Sequence, residues 1–144
     1  MNRLPGWVQP ISRLIIAPQR RGISFLSFHV LTTPGRNSGW MRSTVVAPFD
    51  AEGRRYVLSF GDLDWVRNAR GAGWGMLGRG RRQVRVALVE IKPPESAAIV
   101  PEFPCQIPGG VRFFTRLGLV EAPGRPDQFA AAAENLVLFR VDPV

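Results

Sequence analysis

Apolar and polar positions change their rhythm several times along this chain, and each rhythm predicts a different element. Phe25-Leu26-Ser27-Phe28-His29-Val30-Leu31 is an almost unbroken apolar run, rich in aromatic and β-branched residues, as a buried strand would be. The run breaks at Pro34-Gly35 and Ser38-Gly39 and restarts as Ser43-Thr44-Val45-Val46-Ala47-Pro48-Phe49, so strands are expected over 24–33 and 40–49. Asp50-Ala51-Glu52-Gly53 reads as a hairpin turn, with Gly where a positive φ is wanted, leading to a strand at 54–60. There Tyr56, Leu58 and Phe60 alternate with Val57 and Ser59, which sets Ser59 on the face opposite its neighbours. Asp62 is a candidate N-cap for a short helix or turn over 62–72 that carries Trp65, Val66 and Ala69.

Strands are expected again at 74–79 and 82–91, with Gly80 at the bend between them. In the second, Val84, Val86 and Leu88 fall on one face and Arg85, Ala87 and Val89 on the other. Pro93-Pro94-Glu95 opens a helix, because Pro is tolerated in a first turn. Residues 101–124 are rich in Pro and Gly and show no usable period. Asp127 to Asn135 reads as a helix, and Leu136 to Val141 as a closing strand. At the other end, 7–22 can form a short amphipathic helix with Trp7, Ile11, Leu14 and Ile15 near one stripe. Its bland reading is an arm that caps a barrel; its sharper reading is a basic, Trp-bearing contact with a membrane surface.

Composition narrows the classes. At 144 residues with 45% hydrophobic and 21% charged side chains, the chain is long enough for one domain with a real core and is not of the disordered kind. Charge is unevenly placed: residues 1–89 carry 14 cations and 4 anions, a net +10, whereas 90–144 carry 5 and 7, a net −2. The basic part therefore faces a polyanionic partner, whether nucleotide-like cofactor, nucleic acid or anionic membrane. Lys92 is the single Lys among 19 cations, a bias that high-GC coding explains. One Cys (Cys105) and one His (His29) leave no disulfide framework and argue against a zinc or iron centre, so no metal is expected. His29, inside an apolar strand, reads as a core residue. Leu14-Ile15-Ile16-Ala17 is too short for a signal core, and no run nears the roughly 20 apolar residues of a bilayer span. The expectation is a cytoplasmic protein, with membrane association only through the N-terminal stretch.

Chemistry is concentrated between Leu31 and Arg82. The small residues around Arg36 and Arg42 let backbone amides approach a ligand, and a tight loop with fixed cations suits an anion. Two solvated arginines on a hairpin loop is the plain alternative. Gly73-Trp74-Gly75-Met76-Leu77-Gly78 matches G-x-G-x-x-G literally, but a dinucleotide fingerprint must follow a strand and open a helix. Here an alternating strand follows, so the match is one of chance. Arg79, Arg81 and Arg82 read as a solvated hairpin tip, without the aromatic platform that single-stranded nucleic acid wants.

Thr32-Thr33-Pro34-Gly35-Arg36-Asn37-Ser38-Gly39-Trp40-Met41-Arg42, then Ser59-Phe60-Gly61 and Asp64-Trp65-Val66-Arg67-Asn68, resembles the deazaflavin-dependent nitroreductase/quinone reductase family. The resemblance runs from about Ile11 to Val141. It implies a mainly β (α+β) fold: an FMN-binding-like split β-barrel, antiparallel and six- to seven-stranded, with flanking helices. It implies one deazaflavin-binding domain over 1–144, with an N-terminal helix or arm at 1–23, cofactor-binding strands over 24–91, and helices with a closing strand over 92–144.

It also implies coenzyme F420 as cofactor, FMN being less expected. Thr33, Gly35, Arg36, Asn37, Ser38, Gly39 and Arg42 match the loop that holds the cofactor's phosphate and acidic tail. Asn37 stands where many relatives carry Lys, which removes a cation. Ser59, Phe60 and Gly61 match a strand end that lies along the ring system, and Phe60 replaces a Lys found in some relatives. Trp65 and Asn68 match a segment over the phosphate arm; Trp65 reads equally well as core. The implied reaction is hydride transfer to a quinone, nitro compound or activated alkene, the small-molecule acceptor being the main partner. Ser59 and Tyr56, the only Tyr, are the candidate catalytic groups that can supply a proton. Relatives that reduce nitroimidazoles carry Tyr near the C-terminus, where this chain has Phe103, Phe113 and Phe114. Two other readings stand beside this one: a cofactor carrier without turnover, and a basic membrane- or nucleic-acid-binding module with a decayed cofactor site. No specific nucleic acid is expected, and the chain is a monomer or homodimer.

Overall fold

The described residues form seven strands: β1 (His29–Pro34), β2 (Met41–Val46), β3 (Phe49–Ala51), β4 (Arg54–Phe60), β5 (Trp74–Arg79), β6 (Arg82–Ile91) and β7 (Leu136–Pro143). Helix α1 (Asp64–Ala72) separates β4 from β5 in the chain. Helices α2 (Glu95–Ile99), α3 (Glu102–Gln106), α4 (Pro108–Arg116) and α5 (Pro126–Ala131), with a 3-10 turn at Ala133–Asn135, separate β6 from β7. These elements come from a computed structural model that describes residues 28–144. The amphipathic helix expected over 7–22 and the start of the strand expected at 24 lie outside the described residues.

The chain divides into two compact units. Of the described residues, the first takes those up to Val46, Asp62–Val89 and Asp142–Val144. Its strands run in the order β2-β1-β5-β6, every pair antiparallel, with His29 opposite Val46, Leu31 opposite Leu77 and Trp74 opposite Ala87. Val30, Leu31, Leu77, Val86 and Leu88 are its buried apolar positions, joined by Val66 and Ala69 of α1. Gly75 is required where β5 meets β1, because a Cβ there would lie 2.9 Å from the Thr32 carbonyl oxygen. Helix α1 ends at Gly73, whose φ of 73° lets its amide bond the Ala69 carbonyl at 2.8 Å.

The second unit takes Ala47–Gly61 and Glu90–Val141. Strands β3, β4 and β7 pair antiparallel in that order, with Phe49 opposite Tyr56 and Val57 opposite Phe139. The β3–β4 turn is only Glu52-Gly53, both at positive φ (54° and 75°), the twist a two-residue hairpin needs. Its core is aromatic. Phe103 stacks edge-on against Phe114 at 5.3 Å and against Phe49 at 5.6 Å, and Phe129 lies 5.8 Å from Phe114. Such edge-to-face pairs add about 0.5–1.5 kcal/mol each beyond the area they bury.

Several expectations need correction. The strand expected over 40–49 is two strands, β2 and β3, interrupted at Ala47-Pro48, where Pro has no amide to give a ladder. Asp62 is not the N-cap of α1. Leu63 holds that place, and the Asp62 carboxylate instead takes a two-pronged bond from Arg67, at 2.8 and 2.7 Å. Val84 is 55% exposed, unlike Val86 and Leu88 on the same face. Residues 101–124 hold two helices, α3 and α4, and the helix expected to Asn135 stops at Ala131 and continues as a 3-10 turn. Residues 56–60 are all buried, so both faces of β4, the one with Ser59 and the one with Tyr56, Leu58 and Phe60, are covered. The Glu52-Gly53 turn and the Gly80 bend at φ 64° agree with the pattern of the sequence, and the seven strands, one more than that pattern predicts, fall within the six to seven that the family resemblance implies.

Candidate functional site

The loop between β1 and β2 is built by short bonds within itself. The Gly35 amide donates to the Trp40 carbonyl at 2.7 Å, and the Gly39 amide to the Gly35 carbonyl at 2.9 Å. The Trp40 amide donates to Ser38 Oγ at 3.2 Å. Gly39 sits at φ 75°, which only Gly adopts without strain. A side chain at position 35 would crowd the Trp40 carbonyl at 3.1 Å and Ser38 Oγ at 3.2 Å. The sequence places small residues here because the turn has no room for others.

Helix α1 then fixes the loop from outside. Asn68 is 5% exposed, and its Oδ1 accepts two bonds from Arg36: the backbone amide at 3.1 Å and Nη1 at 2.9 Å. A third donor of the same residue, Nη2, reaches Asp64 Oδ1 at 3.4 Å. Asp64 and Asn68 are four residues apart, so they occupy one face of the helix. Three of the five guanidinium N–H groups of Arg36 remain for another acceptor.

Among the described residues, the amides of Asn37 and Ser38 bond no other backbone group, and the exposed Arg42 has no ion-pair or hydrogen-bond partner for its side chain. Arg42 stands opposite Thr33, which is 1% exposed; one step back, Thr32 Oγ1 and Ser43 Oγ are 2.9 Å apart. Trp40 is 75% exposed and Met41 46%, an apolar tip between the two arginines. Trp65, one turn before Asn68 on α1, is half-buried. Near the start of the helix, the bond from Arg67 holds the Asp62 carboxyl below its usual range, because it favours the ionised form. Thus Thr33, Gly35, Arg36, Asn37, Ser38, Gly39, Arg42, Trp65 and Asn68 all belong to the first compact unit.

Tyr56, Ser59, Phe60 and Gly61 belong to the second. Tyr56 is 4% exposed, its ring 5.9 Å from that of Phe49, and Ser59 is 6% exposed. Phe60 packs into the aromatic core, 5.7 Å from Phe113 and 6.2 Å from Phe114. Gly61 leaves β4 at φ 63°. Cys105 points its exposed thiol at the Pro101 carbonyl, 3.5 Å away.

Gly73-Trp74-Gly75-Met76-Leu77-Gly78 begins at the cap of α1 and runs into β5, so it opens no helix. Among the described residues, no group of three His, Cys, Asp or Glu is placed to hold a metal ion, and no helix is long and apolar enough to cross a membrane. Asp64 is the residue sequence reasoning missed. Its signal was the four-residue spacing to Asn68, which puts an acid on the same helix face as a residue already singled out.

The fold is that of the split β-barrel proteins: antiparallel strands, seven here, with flanking helices. No family model matches the chain, and no curated protein matches it. Solved structures do match. A protein solved as a domain-swapped dimer superposes with a TM-score of 0.59 at 13% identity, over 94% of this chain and 97% of that one. An F420-H2 dependent reductase, FDR-A, gives 0.54 at 13% identity, over 81% and 95%. A protein of the pyridoxinephosphate oxidase family from Clostridium acetobutylicum, related to general stress protein 26 of B. subtilis, gives 0.52 at 9% identity, over 81% and 75%. At such identities the likeness is one of fold.

Proposed function

We propose that this protein is an oxidoreductase that binds a deazaflavin, coenzyme F420, in preference to FMN, and passes a hydride to a quinone, nitro or activated-alkene acceptor. The observation that carries the reading is the prepared cation in the β1–β2 loop: Arg36, clamped by Asn68 at 2.9 and 3.1 Å, beside Arg42 and the amides of Asn37 and Ser38. This donor set fits an oxyanion. It offers charge-assisted bonds from the two arginines and neutral bonds from two amides, the mixture that phosphate and carboxylate oxygens take. The solved reductase of the same fold, named for F420-H2, supports the choice of cofactor class.

A reduced deazaflavin supplies the hydride when bound. The chain's own part is to hold and orient. Arg36 and Arg42 take the anionic tail, Gly35 and Gly39 keep the loop tight enough for close approach, and Trp65 offers a flat wall on α1. Ser59, Phe60 and Gly61 are proposed to line the ring system, with the whole chain acting as one cofactor-binding domain. Assembly as a homodimer is proposed on the dimeric neighbour of the same fold.

A second reading, a cofactor carrier without turnover, is favoured by one observation. Tyr56 and Ser59, the candidate proton donors, are buried at 4% and 6% exposure. Fluorescence titration with coenzyme F420, alongside FMN and with Arg36→Ala as control, tests the class. Saturable F420 binding that weakens at least about tenfold in Arg36→Ala is expected, a loss of about 1.4 kcal/mol. Oxidation of the reduced cofactor by a quinone then separates enzyme from carrier. Failure to bind either cofactor, with salt-sensitive binding to generic polyanions instead, would overturn both readings in favour of a basic docking module.

A further inference from the structure

Arg36 has two side-chain partners, and they differ in kind. Asn68 is 5% exposed, neutral, and bonds both the backbone and the guanidinium of Arg36 at 3.1 and 2.9 Å. Asp64 is charged, its side chain is 87% exposed, and it reaches Nη2 at only 3.4 Å. A buried neutral acceptor with two short bonds stays in place, because breaking it strands a desolvated oxygen. An exposed ion pair at long range is weak and exchangeable, since water competes for both ends.

We infer that Asp64 is a placeholder on Arg36, displaced when a ligand oxyanion takes Nη2, while Asn68 is the positioning residue that keeps Arg36 aimed throughout. This rests on the reading of the loop as an anion site and adds how that site is tuned. Without ligand, the Asp64 carboxylate offsets part of the Arg36 charge; with ligand, that carboxylate is released to water. The exchange raises the threshold for binding. An oxyanion carrying two negative charges outcompetes Asp64 more readily than one carrying a single charge. Asn68, having no charge, neither competes with the ligand nor attracts it.

The two partners then predict effects of opposite sign, which a purely structural role for either would not produce. Calorimetric titration with inorganic pyrophosphate as probe compares the wild type with Asp64→Asn, Asn68→Ala and Arg36→Ala. Asp64→Asn is expected to bind about two- to fivefold tighter with an unchanged melting temperature, the range set by an exposed ion pair. Asn68→Ala is expected to bind about tenfold weaker, and Arg36→Ala weaker still. Equal or weaker binding by Asp64→Asn, with binding still lost in Arg36→Ala, overturns the placeholder and leaves the anion site standing. Wild-type affinity in a folded Asn68→Ala overturns the positioning role. No pyrophosphate binding by the wild type overturns the inference and the anion site together. Asp64 is on the surface, so its variant decides the matter even where Asn68→Ala does not fold.

Discussion

The β1–β2 loop with α1 and the aromatic core under β3 and β4 organise their residues by different physics. Around Phe103, Phe114 and Phe129, position comes from shape: ring centroids lie 5.3 to 5.8 Å apart, Phe114 edge to face with both others and Phe103 tilted against Phe129. Around Arg36, position comes from direction: three bonds from one residue to two acceptors on one helix face. Packing is strong and tolerant of small rotations, whereas directional bonds hold an exposed side chain to a fixed aim. A core can be mostly apolar because nothing must leave it. A loop that is to receive a charged ligand must hold its cations without neutralising them, and a neutral Asn does that where an acid would not.

The contrast can be broken most forcefully in the aromatic core. Phe129 is fully buried, and Phe129→Ala is expected to cost about 3–5 kcal/mol, read as a lower denaturant midpoint with an unchanged slope. A cost below about 1 kcal/mol would mean the rings do not form a packed unit. The next effect has the opposite sign and sharpens the comparison between buried polar groups. Asn68 is buried with its oxygen doubly bonded, but Ser96, 3% exposed on α2, has a hydroxyl with no partner. Ser96→Ala is therefore expected to be neutral or to stabilise by about 1 kcal/mol, measured by the same unfolding transition, since it removes an unsatisfied group. A clear loss of stability would reveal a partner for that hydroxyl.

The smallest effect belongs to Asp62. Its carboxyl is held below the usual range by the Arg67 bond, so its contribution is present above the unfolded value, about pH 4, and is lost as pH falls through the lower folded value. The stability gap between wild type and Asp62→Asn should be flat from neutral pH to about pH 5 and close below pH 4. A gap that widens on acidification would contradict the assignment.

The strands were legible because their signals are local. Gly53 and Gly80 mark turns that need positive φ, and the alternation in β6 survives in Val86 and Leu88. What was not legible depends on distant partners. Pro101, Pro104 and Pro108 hid the helical period, yet they stand at the N-cap and first turn of α3 and at the first position of α4, where Pro is tolerated, and Phe103 and Phe114 have an aromatic core to join. Val84 keeps the strand period but lies near the hairpin end, where its face runs out of cover. Asp62 had the right chemistry for a cap and lost it to Arg67, five residues on. The loop residues around Arg36 were legible as a cluster with an anion's chemistry. The bonds between Arg36, Asn68 and Asp64 were not, because nothing in a sequence says that a helix 28 residues later will turn the face carrying those two residues toward that loop.

Strand β3 is three residues long and stands at the end of its ladder next to β4. Gln106 of α3 lays its carboxamide along it: Oε1 accepts from the Asp50 amide at 2.8 Å, and Nε2 donates to the Asp50 carbonyl. That is the donor and acceptor pair a neighbouring strand would present, supplied by one side chain. A second polypeptide seeking to extend the ladder there meets an edge whose central residue is already taken, and must first evict Gln106. The protein thus guards its shortest strand against unwanted polymer growth with an amide rather than with a charge.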